Sequence, residues 1–436
     1  MRAFIASLGC SKNLVDSELI LGSLKNSGYE ISSQKDADVI IVNTCGFIGE
    51  AKKESLNTII ELSKYKHHGS CKKLIVTGCL VERYADELRR EFPEVDAFWG
   101  TGDLLRIGEF LGKKRIKKFH KSDPGTLYDP DTPRVLTTLS YTAYVKVSEG
   151  CSRTCSFCII PKMRGLMKSR PVDSIVGELN NLANSGVQEI NLIAQDMTSY
   201  GRDIGTNLET LLRELAKVNG IKWIRLFYCY PWGFTDSLVK LIAEEEKILN
   251  YIDIPLQHIN DRILQLMDRK TTSDRIRGII HKLREEIPNL TLRTTFIVGF
   301  PGETEEEFNE LLDFVEEVQF ERAGAFKYSQ EEGTRAGDMP GQIPNEVKEE
   351  RYEKLMEVQS EVSLNKNRAL IGTVHEGFIE GRENGNYIAR ISSQAPEVDG
   401  VTYVKRTRKL KVGDLVKISI MDADTYDLFG EVVSSS

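Results

Sequence analysis

Glu149-Gly150-Cys151-Ser152-Arg153-Thr154-Cys155-Ser156-Phe157-Cys158 places three cysteines within eight residues, spaced Cys-x-x-x-Cys-x-x-Cys, directly after a strand-like run from Tyr141 to Ser148. Soft thiolates select zinc, copper(I) or iron–sulfur clusters. The ligand count narrows the choice. A structural zinc site closes a tetrahedron with four ligands, and no fourth Cys or His lies nearby in sequence. Three thiolates on a cubic four-iron cluster would leave one iron open to a further ligand. Three packed or loosely redox-active thiols are the plainer alternative, because unpaired Cys often serves as a small buried hydrophobe.

Outward from this stretch, residues 138–365 read as six strand–helix units. The strands fall at Tyr141–Ser148, Glu189–Ala194, Lys222–Tyr228, Tyr251–Leu256, Leu290–Val298 and Ala323–Tyr328, with amphipathic helices between them. That alternation predicts a partial (β/α)6 barrel whose chemistry gathers where strands end. One face of the strands carries polar groups at Lys146, Gln195, Arg225, Asp253, Gln257, Arg293 and Lys327. Charge inside a barrel is costly unless it pairs or holds a polar ligand. Ion pairs such as Arg225 with Asp253 satisfy that condition one by one; as a set, these residues favour a site for a zwitterion and a nucleoside. Gly299, in the turn Gly299-Phe300-Pro301-Gly302, permits close approach of backbone to ligand, and Phe157 is placed to pack on a purine or simply in the core. Cys229 reads as a packed thiol.

Residues 1–120 alternate strands and helices in the pattern of a parallel sheet. Cys10, Cys45 and Cys79 each fall one to three residues past an expected strand end, at Leu8, Asn43 and Thr77. In a parallel sheet those ends share one edge, where open α/β folds bind ligands. Three scattered buried thiols would not be expected to share that placement, so a second cluster with three protein ligands is the expectation. Cys71 precedes its strand, in the polar run His67-His68-Gly69-Ser70-Cys71, and reads as part of a solvated loop. The basic run Lys113-Lys114-Arg115-Ile116-Lys117-Lys118 reads as an exposed linker.

Residues 371–436 change to short alternating runs separated by Gly turns, the pattern of a small antiparallel β-barrel. From Arg368 onward, nine Lys or Arg stand against ten Asp or Glu, a net of −1. Such barrels often grip RNA, but this balance makes a poor polyanion trap and suits a basic protein better. The whole chain, 436 residues with formal net charge −7, likewise gives little support to a surface-wide attraction for nucleic acid. Its start runs straight into a strand without a signal-peptide pattern, and no apolar run suggests a membrane span. Eight cysteines in that context point to a reducing cytoplasm.

The Cys-x-x-x-Cys-x-x-Cys spacing is that of the radical S-adenosylmethionine enzymes, and the three-part order resembles the methylthiotransferases over essentially the whole chain. Ser7-Leu8-Gly9-Cys10-Ser11-Lys12-Asn13, Ala194-Gln195-Asp196-Met197-Thr198-Ser199-Tyr200-Gly201, Asp253-Ile254-Pro255-Leu256-Gln257-His258, Tyr328-Ser329-Gln330-Glu331-Glu332-Gly333-Thr334 and Ala395-Pro396-Glu397-Val398-Asp399-Gly400 resemble its ribosomal-protein branch, the RimO type. Met197 stands where that branch often has Thr. The resemblance implies an α/β chain with an N-terminal methylthiotransferase domain (1–120), a radical S-adenosylmethionine barrel (138–365) and a TRAM β-barrel (371–436). It implies two [4Fe-4S] clusters, one on Cys151, Cys155 and Cys158 and one, auxiliary, on Cys10, Cys45 and Cys79. S-adenosylmethionine would lie near Phe157, Gln195, Arg225, Gln257, Arg293 and Gly299. The implied reaction is methylthiolation of the β-carbon of an aspartate in the twelfth protein of the small ribosomal subunit, with electrons from a separate donor. Transfer-RNA adenosine as substrate, or a non-catalytic iron–sulfur adaptor for the ribosome, are the other two readings.

Overall fold

The structure, a computed structural model, describes residues 1–112, 117–406 and 409–433. Its first sheet comprises β1 (Arg2–Ser7), β2 (Glu30–Ile31), β3 (Val39–Thr44), β4 (Lys73–Gly78), β5 (Ala97–Trp99) and β6 (Phe119–His120). The strands are all parallel, in the order β2-β1-β3-β4-β5-β6. Every residue of β3 is buried, as a strand covered by helices on both faces must be. The edge strands β2 and β6 are two residues each, too short to leave a pattern in the sequence. Residues 113–116 of the basic run lie outside the described residues. Ser7 pairs with Asn43, and Asn43 with Thr77, so the ends of β1, β3 and β4 are level.

The helix that follows β1, Ser11–Asn26, is buried on two sides. Ile20 and Leu24 pack on its own sheet, whereas Val15 and Leu19 pack into the second domain. That explains why a helix inside a small α/β domain carries so few exposed polar residues.

The second sheet comprises β7 (Thr142–Lys146), β10 (Glu189–Ile193), β11 (Trp223–Leu226), β12 (Ile248–Asp253), β13 (Thr291–Val298) and β14 (Arg322–Lys327), with a small hairpin-like pair, β8 (Ser148–Glu149) and β9 (Lys168–Ser169), at one end. It is parallel and open, in the order β14-β13-β12-β11-β10-β7. Helices Val172–Asn184, Leu208–Ala216, Asp236–Glu244, Ser273–Glu286 and Glu305–Val318 cover its outer face. Two short helices escape the sequence pattern, Ile160–Arg164 and Asp261–Leu266.

After the long helix Asn345–Arg368 comes a closed barrel of β15 (Val374–Glu383), β16 (Asn386–Ile391), β17 (Thr402–Lys405), β18 (Leu415–Ala423) and β19 (Leu428–Val432). The barrel is antiparallel as expected at every pair but β17 with β19, which is parallel. The reason is parity: a closed ring of five strands cannot alternate direction at every step.

An open barrel leaves its inner face to be covered. Here Tyr144, Trp223, Phe227 and Tyr251 pack against Val15 and Leu19 from the first domain and Phe378 and Ala395 from the third. Below this apolar layer lies buried Glu189, which accepts a hydrogen bond at 2.9 Å from Arg390 of β16 and stands 3.4 Å from Arg225 of β11. Burial pushes the Glu189 carboxyl up, but Arg390 and then Arg225 more than offset it, so it rests below its ordinary range. A depressed carboxyl stabilises the fold above its ordinary range and loses that contribution as the pH falls through the depressed value. Arg390→Met should therefore cost about 3 kcal/mol in urea unfolding near pH 7. The deficit should shrink below about pH 4. A deficit under about 1 kcal/mol near neutrality would show that the pair does not hold the third domain in place.

Candidate active site

Gly150 turns the chain after β8 with φ +77, and a Cβ there would lie 2.3 Å from the carbonyl oxygen of Leu166. Only glycine fits such a turn without moving backbone. The turn lets Cys151 N–H donate to Gly165 O at 3.1 Å and starts the cysteine loop. The loop is then stitched to the Asp261–Leu266 helix: Ser156 Oγ donates to Leu266 O at 2.7 Å, and Thr154 Oγ1 to Asp268 at 2.7 Å. Arg269 Nη1 lies 3.7 Å from Cys155 Sγ.

In the first domain the level strand ends bring Cys10, Cys45 and Cys79 together. Asn13 ties their loops, donating from Nδ2 to Leu8 O and to Thr44 O, each at 2.9 Å. Gly9, with φ +85, passes so close to Cys45 that a Cβ would meet its Sγ at 2.9 Å.

The two triads open onto one cavity of about 400 Å³, lined by all six cysteines. Burial pushes the Cys79 and Cys158 thiols up to about 12 and that of Cys151 to about 11. Burial also raises Cys45. Without a ligand these thiols are neutral, so binding metal must release their protons. Among the described residues no group of three His, Cys, Asp or Glu converges to hold a single metal ion. A four-iron cluster is a larger body, gripped at its corners by thiolates that stand farther apart.

Between the triads runs a knot of buried charge that the sequence did not reveal. Lys146 reaches Asp16 at 2.5 Å and Glu149 at 2.7 Å, and Arg164 reaches Asp16 at 2.6 Å and Glu149 at 3.4 Å. Arg164 also donates to Asn13 Oδ1. Asp16 and Arg164 are separated by more than a hundred residues, so no local pattern pairs them.

Of the residues expected near a nucleoside, Phe157, Gln195 and Gln257 line the cavity. Gln195 donates to Glu149 at 2.9 Å, and its Oε1 is buried with no partner among the described residues. The other three do not line this cavity. Arg225 faces Glu189 and donates to Ser392 O at 2.8 Å. Arg293 pairs with Asp253 at 2.9 Å and stands 3.8 Å from Asp399. Gly299 donates to Glu303 at 3.0 Å and is crowded by Lys348, whose Cγ would lie 2.4 Å from an added Cβ. The third domain and the long helix have claimed these positions. Cys229 is buried in the barrel core and also reaches the cavity wall. Cys71 is buried too, rather than solvated, with Sγ–H donating to Lys73 O at 3.3 Å.

Three family models match in succession: uncharacterized protein family UPF0004 over residues 2–100, the Radical SAM superfamily over 145–315 and the TRAM domain over 371–433. The chain is 50% identical to the ribosomal protein uS12 methylthiotransferase RimO of Geotalea uraniireducens, over 98% of each chain. It is 50% identical to that of Geobacter sulfurreducens, over 99% of this chain and 98% of the relative. This chain belongs to the RimO family. Among solved structures, the radical S-adenosylmethionine methyltransferase TsrM from Kitasatospora setae shares the fold at 15% identity, with TM-score 0.56 over 77% of this chain and 76% of its own.

Membership of the Radical SAM superfamily implies a [4Fe-4S] cluster and S-adenosylmethionine. The site suits both: clustered soft donors, a cavity large enough for a nucleoside, and a free buried acceptor at Gln195. Gly150→Ala should cost about 1–3 kcal/mol, read as a lowered thermal midpoint of the metal-free protein. An unchanged midpoint would mean that the backbone at Gly150 relaxes freely.

Proposed function

We propose that this chain adds a methylthio group to the β-carbon of an aspartate in ribosomal protein uS12, and that it does so with two [4Fe-4S] clusters. The observation that carries this reading is the single cavity walled by both cysteine triads. An enzyme that must open a C–H bond and deliver sulfur to the same carbon needs both functions within reach of one substrate atom. The relatives' name supplies the substrate, uS12.

In this reading Cys151, Cys155 and Cys158 hold one cluster, and Cys10, Cys45 and Cys79 hold the other. Bound there, the first cluster and S-adenosylmethionine supply one-electron chemistry able to open an unactivated C–H bond, which no side-chain base could do. The chain's own residues bind, orient and shield. Phe157, Gln195 and Gln257 line the space beside the first triad, and the unpartnered Gln195 oxygen suits an ammonium group. Apolar Phe47, Ile160, Met163 and Ile297 on the wall keep water from a reactive carbon. Arg164 stands where its charge acts on both Cys79 and Cys10.

The near-neutral third domain fits a basic protein partner better than a polyanion. No helix among the described residues is long and apolar enough to cross a membrane, and all eight cysteines are free. Free thiols fit a reducing compartment, and the proposed action on ribosomal protein takes place in the cytoplasm with electrons from a separate donor.

The test is anaerobic. Reconstituted protein, reductant and S-adenosylmethionine are incubated with uS12 and, in parallel, with unmodified transfer RNA, and mass spectrometry follows a methylthio group on each. Modified aspartate is expected; modified adenosine alone would overturn the substrate. Cys155→Ala should abolish 5′-deoxyadenosine formation. Cys45→Ala should block thiolation and leave some cleavage, and full thiolation by that variant would sink the two-cluster assignment.

A further inference from the structure

A carboxylate attached to the reacting carbon has to enter a largely apolar cavity, and an unpaired carboxylate there is costly. Five cations line the cavity: Lys12, Arg153, Arg164, Arg269 and Lys327. Four are committed. Arg153 pairs with Asp196 at 2.6 Å, Arg164 with Asp16 at 2.6 Å, and Lys327 with Glu349 at 2.6 Å. Arg269 donates to Pro255 O at 2.5 Å and lies beside Cys155.

Lys12 differs. It is 7% exposed, and among the described residues its ammonium makes neither an ion pair nor a hydrogen bond. Its partner is the face of Tyr228, with Nζ 3.0 Å from the ring centroid. That ring is itself held under constraint. Tyr228 adopts φ +59, rare for a non-glycine residue, while its N–H donates to Asp253 at 2.9 Å and its carbonyl accepts from Met197 N–H at 3.0 Å. A cation–π contact uses none of an ammonium's three hydrogen-bond donors. A largely buried lysine whose ammonium faces the cavity without an anion is therefore open to one brought by a ligand. Lys12 lies on the first turn of the Ser11–Asn26 helix, two residues after Cys10, on the wall that both triads share.

We propose that Lys12 binds the side-chain carboxylate of the substrate aspartate and so sets its β-carbon in the space that the two triads enclose. The inference rests on the uS12 reading above. Lysine suits the task as a compact charge on a flexible stem, which fixes a carboxylate at one point and leaves the adjacent carbon exposed. It also makes Lys12 the residue that selects aspartate over its neutral amide.

The experiment uses the full-length reconstituted enzyme with uS12 and with uS12 carrying Asn at the target aspartate. Wild type should favour Asp, and Lys12→Met should lose that preference while kcat/KM for normal uS12 falls about 100-fold. Lys12→Arg, which keeps the charge, should restore much of it. Iron and acid-labile sulfide per chain should match wild type in both variants. Retention of wild-type rate and preference by Lys12→Met would overturn the proposal. So would loss of iron from that variant, which would make Lys12 a support for the Cys10 cluster instead. Failure of wild type to modify uS12 at all is a different result: it removes the substrate reading, and the Lys12 proposal falls with it.

Discussion

Four buried charges, Asp16, Lys146, Glu149 and Arg164, hold the two halves of the site in register. Two positive and two negative groups sit within ion-pair distance, the closest at 2.5 Å, so the knot is neutral although it is shut off from water. Buried pairs of this kind add little net stability, because desolvation consumes most of the Coulomb gain. Their value is geometric. Asp16 comes from the helix behind Cys10, Lys146 from the end of β7, Glu149 from the end of β8 just before the cysteine loop, and Arg164 from the short helix beyond it. Any slip of the first domain along the barrel would leave a charge alone in the interior. That penalty forbids intermediate positions, and the distance between the triads is thereby set by electrostatics rather than by a hinge.

The same logic governs the far end of the barrel. Six parallel strands do not close, and an open inner face exposes Tyr144, Trp223, Phe227 and Tyr251. The first domain covers part of it with Val15 and Leu19, and the third covers the rest with Phe378 and Ala395. Arg225 and Arg293 sit at that lower junction, where Glu189, Asp253 and Asp399 neutralise them. The three domains are thus one packing unit, and the β-barrel at the C-terminus acts as a plug.

The sequence made the main elements legible because the physics involved is local. Uninterrupted apolar runs such as Val39-Ile40-Ile41-Val42 show buried parallel strands, and strand ends predict where Cys10, Cys45 and Cys79 meet. Alternation along a strand reports which face a side chain takes, but not its height. That is why the sequence groups Gln195 and Gln257 with Arg225 and Arg293 on one inner face, although the two pairs lie at different heights. Gln195 and Gln257 stand past the ends of β10 and β12 and reach the cavity; Arg225 and Arg293 stand within β11 and β13 and are taken by the third domain. The charge knot and Lys12's lack of an anion were invisible for a different reason. Both depend on contacts, or their absence, between segments far apart in the chain.

Charge at the cavity also makes sense only when both states of the site are considered. Without metal, burial raises the Cys45, Cys79, Cys151 and Cys158 thiols, and Arg269 then has hydrogen bonds and the Tyr230 ring but no carboxylate among the described residues. Loading a cluster converts neutral thiols to thiolates. Under the two-cluster proposal, Arg269, 3.7 Å from Cys155 Sγ, would gain an anion there, and Arg164, already paired with Asp16 and Glu149, would add its charge to thiolates at Cys79 and Cys10. The cations are built into the rigid wall, so their desolvation is met on folding rather than when the cluster arrives. Lys12 has no anion among the described residues in that balance, and it stands on a helix fixed by Asp16, on the wall where the substrate carboxylate is proposed to bind.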